Sequence, residues 1–469
     1  MARIAAFNPG QSPPPVSTPI RTGGTIAGAV PAGQSPAGGP GAGAVGWHRS
    51  ESTGVPPRLA LLAALACAVL LSGCLGDDGE PAEDQPIRGH VLNLYASRPT
   101  EGPSAATGRA VAAGQRQALA EAGARAGRYR IRLVSMSASK PGSGNWDPGQ
   151  VAENADRAAH DPRAIAYLGE LNLGASAISV PVTNKAGLLQ VSPADGLASL
   201  TEAPPRSAAG PERYYPSGRR SFLRLVPDDL DEARLIVDRM EALGVERPAL
   251  IVGTGVYARE LATELVAEAR DAGIAPVDTK DLRDDPETVL DAAGELAEAP
   301  PDAQPDAVVL ALARDRYTSQ LLAGLTRSLP QASLLTGDGV LVGQPLVAAA
   351  GSEPAPLEAI APQPPRGAAG APGRRILDRI ARDQGVALAT PAALWGYESV
   401  RVVLDAIRAA QREAGPAERA EIIRAALRPR VRHSPIGTYR VRRSGAVEGL
   451  PMALYRLRGD RFEYVSSLL

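Results

Sequence analysis

From residue 90 the chain alternates between two patterns of apolar positions. Short runs rich in Val, Ile, Leu and Tyr ("HVLNLYAS" at 90–97, "YRIRLVSM" at 129–136, "AIAYLGE" at 164–170, "LLQVSPA" at 188–194) are separated by Ala-rich stretches with helical spacing, reaching about Ala126 and lying near 148–160 and 174–186. Apolar runs of this length with a helical stretch between each pair predict parallel strands covered on both faces by crossover helices. After the polar loop "TEAPPRSAAGPERYYPSGRR", "SFLRLVP" (221–227) opens a second series. It continues with a helix to about Leu243, "PALIVGTG" (248–255), a helix to about Ala272, "IAPVDTKDL" (274–282), a helix, "AVVLALA" (307–313), a helix and "SLLTGDG" (333–339). Two such series predict an α/β protein of two Rossmann-like lobes with parallel central sheets and a crevice between them.

Downstream, the strand "LEAIAPQ" (357–363) and a Pro/Gly loop (363–373) lead to helices near 374–384, 391–412 and 416–427. Two antiparallel strands are expected at the end, "GTYRVRRSG" (437–445) and "MALYRLRGDRFEYV" (452–465). The late helices are distant in sequence from the first series, whose sheet still needs cover, so the chain is expected to cross back to it.

Ahead of the fold, the pattern changes. Thirteen apolar residues (59–71) follow Arg58 and are closed by "LSGC" (71–74). A helix of that length rises roughly 20 Å, short of a hydrocarbon core of about 30 Å, so the run reads as a secretory segment and not as a membrane span. It resembles a bacterial lipoprotein signal, which implies cleavage before Cys74, lipidation of its thiol and a durable two-signal membrane anchor. Residues 1–57 carry ten Pro and eleven Gly, a composition from which no core forms. They read as a leader, with the start of an ordinary lipoprotein signal at Val55. "LGDDGEPAEDQPIRG" (75–89) is acidic and reads, over 75–87, as a solvated tether.

Composition narrows the function classes. Fifty basic and 51 acidic residues leave a net charge of −1 with no basic run, so nucleic acid is not an expected partner. Of two cysteines, Cys67 lies in the apolar run and Cys74 at the lipidation position, which leaves no disulfide and no cysteine metal site. About 395 residues beyond Cys74 suffice for two lobes without disulfides. No Gly-x-x-x-x-Gly-Lys-Ser/Thr loop or Gly-x-Ser-x-Gly elbow occurs, and His90, His160 and His433 show no ligand spacing. "GTGVYA" (253–258), with Asp278 some twenty residues on, superficially meets the dinucleotide fingerprint, yet it opens a second lobe instead of a catalytic domain.

The order of the blocks "GPSAATGRAVAAGQRQAL" (102–119), "GELNLGASAISVPVTNKAGLLQVSPADGLASLT" (169–201), "VGTGVYARELATELV" (252–266), "LTGDGVL" (335–341) and "LWGYESVRVVLDAI" (394–407) resembles the type I periplasmic binding proteins. The similarity lies with the branched-chain amino-acid-binding group that delivers solutes to ABC importers, over nearly all of 88–465. The resemblance implies a three-strand hinge, with crossings near 205–222, 356–367 and 429–437. Lobe 1 is then expected over 88–205 with 367–432, and lobe 2 over 222–356 with 433–469. It also implies solute capture without catalysis or cofactor, an ABC permease as partner and a lipid-anchored, extracytoplasmic location.

Ligands of open α/β sheets sit at the carboxyl ends of strands, beside helix amino termini. Two loops of the first lobe fit: "GELNLGAS", with Asn172, Gly174, Ala175 and Ser176, and "SPADG", with Ser192, Ala194, Asp195 and Gly196. The resemblance implies that they hold the α-carboxylate of an amino acid. Ser176 serves equally as a helix cap and the glycines as turn residues. From the second lobe the matching positions are Tyr257 and Asp338; a carboxylate facing the crevice pairs with a ligand ammonium, although Asp-Gly is also a common turn pair. Ser104 and Thr107 match the family's lid-side loop. Trp395 and Tyr397 are expected in the core. Gly196 stands where amino-acid binders commonly carry a hydroxyl, Asp195 adds negative charge, and Leu173-Gly174-Ala175 replaces a run of serines. An amide, a polyamine-like cation or an aromatic acid therefore stays open as ligand, as does a ligand-free scaffold or sensor that touches another envelope protein.

Overall fold

The computed structural model describes residues 89–468 apart from 143–144, 206–209, 275, 277, 283–285, 314–316, 342–356, 363–368 and 415–417. The expected leader, signal segment with Cys74 and tether lie outside the described residues.

The first apolar series forms β1 (Val91–Arg98), β2 (Arg125–Ala126), β3 (Tyr129–Ser137), β4 (Ala164–Leu168), β5 (Leu189–Ser192) and β6 (Phe222–Arg224). Their order is β2-β3-β1-β4-β5-β6, parallel except for β2. β4 and β5 are buried at every position, which is why they read as unbroken apolar runs. Helices Ala105–Glu121, Pro148–Ala159 and Ser176–Lys185 connect the strands, within two residues of the expected bounds except that the first stops at Glu121. Asp147 caps the second of them, accepting from the Gln150 amide at 2.7 Å.

The second sheet gathers β7 (Pro248–Val252), β8 (Asp278–Asp281), β9 (Ala307–Ala311), β10 (Ser333–Thr336) and β11 (Leu357–Ala361). A small antiparallel sheet follows in the chain: β12 (Arg430–Ser434), β13 (Gly437–Val441) and β14 (Val447–Glu448). The last hairpin, β15 (Met452–Arg458) and β16 (Arg461–Leu468), returns to the second sheet, whose order is β16-β15-β11-β10-β9-β7-β8. Its edge strands β8 and β16 are the polar, partly exposed ones, as edges require. Helix Asp229–Leu243 is capped by Asp228, carries Asp229, Asp231 and Glu232 in its first turn and ends on Gly244 at φ 68°.

The chain does cross back. Helices Ala371–Gln384 and Pro391–Ala414 pack on the first sheet, with Leu377, Val400 and Ile407 in one core with Leu92, Val111 and Leu189. Glycines let two helices touch along their backbones: a Cβ on Gly114 would lie 1.7 Å from the Ala393 carbonyl oxygen, and one on Gly396 2.0 Å from that of Val111.

Two assignments differ from the sequence reading. "SFLRLVP", expected to open the second lobe, supplies β6, the last strand of the first sheet. Likewise 437–445, expected in lobe 2, lies in the small sheet, whose Tyr439, Val441 and Val447 join the first core. Two of the links between sheets accordingly run through 225–228 and 449–451, and the third falls between the end of β11 and helix Ala371–Gln384. A strand's apolar pattern reports burial and carries no mark of which sheet receives it.

Candidate functional site

Residues at the carboxyl ends of β4, β5, β10 and β11 enclose a cavity of about 290 Å³ together with the start of helix Ala105–Glu121 and the late helices. The first lobe supplies Ser104, Thr107, Asn145, Trp146, Leu171, Asn172, Leu173 and Ala194, and the second Ala313, Asp338, Gly339 and Leu341. Ala106, Ala361, Pro362, Ala387, Thr390, Ala392 and Trp395 complete the lining. Of the expected ligand residues, the fold brings Ser104, Thr107, Asn172, Ala194 and Asp338 to this wall.

Ser104 is fully buried at the cap of helix Ala105–Glu121. Its hydroxyl accepts from Asn172 Nδ2 at 3.0 Å and donates to Asn145 Oδ1 at 3.1 Å, a chain of neutral polar groups joining three loops. Asp338 is the charged residue of the lining. Its backbone N–H donates to Glu232 Oε1 at 2.6 Å, while its own Oδ1 is buried with no hydrogen-bond partner. Burial pushes the Asp338 carboxyl up to about 7; the Tyr257 hydroxyl pulls it down and Asp195 adds to the rise. Glu232 behind it is driven well above the carboxylate range by burial and by the Asp338 charge. An unpartnered carboxylate oxygen in such a place is costly until a donor or cation meets it.

The other expected residues stand one layer behind the wall. Asp195, fully buried, accepts from the N–H groups of Gly174 at 2.9 Å and Ser176 at 2.8 Å. The two amides expected to face a ligand carboxylate are thus directed at a carboxylate of the chain itself. Burial raises the Asp195 carboxyl and these N–H donors oppose the rise. Ser192 Oγ donates to the Glu170 carbonyl at 2.7 Å and accepts from the Asp195 N–H at 2.8 Å. Ser176 Oγ accepts from the Glu170 N–H at 3.1 Å, and Ala175 is buried just before its helix. Tyr257 is buried beneath Gly337 and Gly339, its hydroxyl donating to Glu232 Oε2 at 2.9 Å.

Gly174 and Gly196 mark where the lobes meet. At Gly174, φ is 74° and a Cβ would fall 2.6 Å from Val256 Cγ1; at Gly196 it would fall 3.0 Å from Asp229 Oδ1. Beside them, Ser199 Oγ and Arg213 Nη2 each donate to Glu260 Oε1 at 2.8 Å.

The sequence reading passed over Asn145 and Trp146 and assigned Trp395 to the core. Trp395 does sit in the first core, 9% exposed, and its surface also lines the cavity. "GTGVYA" does link β7 to the helix Val256–Asp271, but Asp278 pairs with Ala249 at the amino end of β8, away from the 253–255 turn. Among the described residues no group of three or more His, Cys, Asp or Glu could hold a metal ion.

A family model described as a periplasmic binding protein matches residues 96–461. Among solved structures, the fold is similar to a leucine binding protein, LivK, of Thermotoga maritima MSB8 (17% identity, 80% of this chain and 98% of that one, TM-score 0.62). It is similar as well to an R. palustris ABC-transporter solute binding protein in complex with benzoate (16%, 80% and 96%, TM-score 0.63). A third is the substrate binding protein LivJ of Streptococcus pneumoniae in complex with isoleucine (16%, 80% and 98%, TM-score 0.63). No curated protein sequence matched.

Proposed function

Since the chain belongs to the periplasmic binding protein family, we propose that it is an extracytoplasmic, lipid-anchored protein that captures a small amine-bearing, amino-acid-like solute between its lobes for an ABC importer. The observation that carries this reading is Asp338, the charged residue of an otherwise neutral wall. A ligand ammonium there forms a charge-assisted bond in a water-poor site, among the stronger bonds available. At the other side of the cavity, Ser104 and Thr107 at a helix amino terminus suit a carboxylate, and Trp146, Trp395, Leu171 and Leu341 suit an apolar body. The solved structures of similar fold that hold isoleucine or benzoate support a ligand of this size and partial apolarity.

The placement of the candidate residues on two lobes supports capture. Asp338 and Ser104 belong to different sheets, so a ligand that touches both stabilises the closed arrangement over any open one. A membrane permease then reads the closed state, and no bond is made or broken. Periplasmic binding proteins are a standard illustration of hinge closure, so the motion itself comes with the family.

A thermal-shift screen of the protein against amino acids, amides, polyamines and aromatic acids tests the reading. A rise in melting temperature with amine-bearing solutes is the expected result. A flat response to the whole panel would favour the ligand-free scaffold.

A further inference from the structure

A larger groove, about 1230 Å³, opens on the opposite edge of the first lobe. We propose that it binds phosphate-bearing anions. It lies at the amino ends of β5 and β6, between the end of helix Ser176–Lys185, Ser221 and the segment after helix Arg419–Ala426. The Arg419 guanidinium pins that helix against the sheet, donating to the carbonyls of Asp161, Ala164 and Ala186 at 2.9–3.0 Å. The solute cavity, at the carboxyl ends of the same sheet, is a separate place.

Seven arginines line the groove against two carboxylates, Asp405 and Glu421. Those two are already engaged: Asp405 accepts from Arg432 at 3.1 Å, and Glu421 from Arg424 at 2.5 Å. Arg432 also reaches Glu398, behind the wall, at 3.0 Å. Arg430 has carbonyl partners instead, Ala425 at 2.5 Å and Arg428 at 3.4 Å. Burial, and then the Arg432 charge, lower its pKa, while Tyr439, Asp405 and Glu398 act in the opposite sense. Arg220 donates through Nη2 to Glu212 at 3.1 Å and lies over the Tyr215 ring, and its Nη1 is buried with no hydrogen-bond partner. Arg443 stands exposed at the rim.

Arg432, Arg424 and Arg220 are already balanced by carboxylates, and the guanidinium groups in excess of those carboxylates focus a positive field on the concave wall. The planar fork of arginine matches the oxygens of a phosphate ester, which several such forks can share. Two sources offer that chemistry, a free phosphate ester and a phospholipid headgroup. The headgroup fits the position, since β1, where the described chain enters the sheet, starts at this same edge.

Isothermal titration of the full chain carrying Cys74→Ser with tripolyphosphate tests the site, and co-sedimentation with phosphatidylglycerol or phosphatidylcholine vesicles separates the sources. Saturable tripolyphosphate binding that Arg428→Gln/Arg430→Gln/Arg443→Gln weakens by about tenfold or more supports a free ester. Binding to phosphatidylglycerol vesicles that the triple variant reduces to the phosphatidylcholine level supports the headgroup. The single variant Arg443→Gln, at an exposed position, should show a smaller loss of about threefold with an unchanged melting temperature, which guards against misfolding. If neither probe binds, or if the arginine variants bind both probes as tightly as the parent chain, the proposal is overturned.

Discussion

Asp338 and Glu170 are both carboxyls raised to about 7 by burial, and they carry opposite consequences. Asp338 faces the cavity, so a cationic ligand must find it ionised. Affinity for an amine is therefore expected to be full above pH 7 and to fall as pH drops below it, with proton release on binding near neutrality. Asp338→Asn should weaken an amine ligand on the order of 10- to 100-fold, measured by titration calorimetry at pH 8. Glu170 faces inward, where Ser97 Oγ donates at 2.8 Å and the Tyr167 hydroxyl at 2.6 Å. Its folded pKa lies above the ordinary 4.5, so the folded state holds the proton more tightly and stability is lost as pH rises from about 4.5 to about 7. Glu170→Gln should remove that share of the loss, on the order of 3 kcal/mol, seen as a flatter dependence of denaturant midpoint on pH. Of the cavity wall, the sequence made Asp338, Asn172 and Ser104 legible because each follows an apolar strand. Asn145 and Trp146 follow the end of β3 by several polar residues, and no local pattern ties them to a crevice whose other wall lies two hundred positions away.

Among the elements, the pairing of helix Ala105–Glu121 with helix Pro391–Ala414 depends on glycine at the crossing. Gly114→Val places a side chain where Ala393 oxygen already is, so the helices must part. A loss of about 2–4 kcal/mol in unfolding free energy is expected, read from a denaturant titration. Gly174 plays the same part between lobes. Gly174→Val meets Val256 and requires an unfavourable positive φ, so it should reduce solute affinity by more than it reduces stability. A comparison of ligand dissociation constant with melting temperature in that variant separates the two effects. Strands and helices were readable because the buried strands are short unbroken apolar runs and the helices between them repeat every 3.6 residues. The placement of β6 and of β12–β14 was not, because their partners are chosen by tertiary packing around residues such as Tyr439 and Gly445. A Cβ at Gly445 would lie 1.8 Å from the Phe222 carbonyl oxygen.

For the whole molecule, the proposed capture requires two lobes that both touch the solute, and the proposed lipid anchor requires Cys74. Cys74→Ser should move the protein from the membrane fraction to the soluble fraction after cell lysis; retention with membranes would count against lipidation. The central claim concerns the cavity itself, and the chain supplies its own reporter. Of three tryptophans, Trp146 and Trp395 line the cavity and Trp47 lies outside the described residues. Tryptophan fluorescence titrated with amine-bearing amino acids, in the parent protein and in Asp338→Asn, is the most direct measurement. A saturable emission change in the parent, shifted to much higher concentration in the variant, is the expected result; no change with any solute, or the same affinity in both proteins, would contradict it.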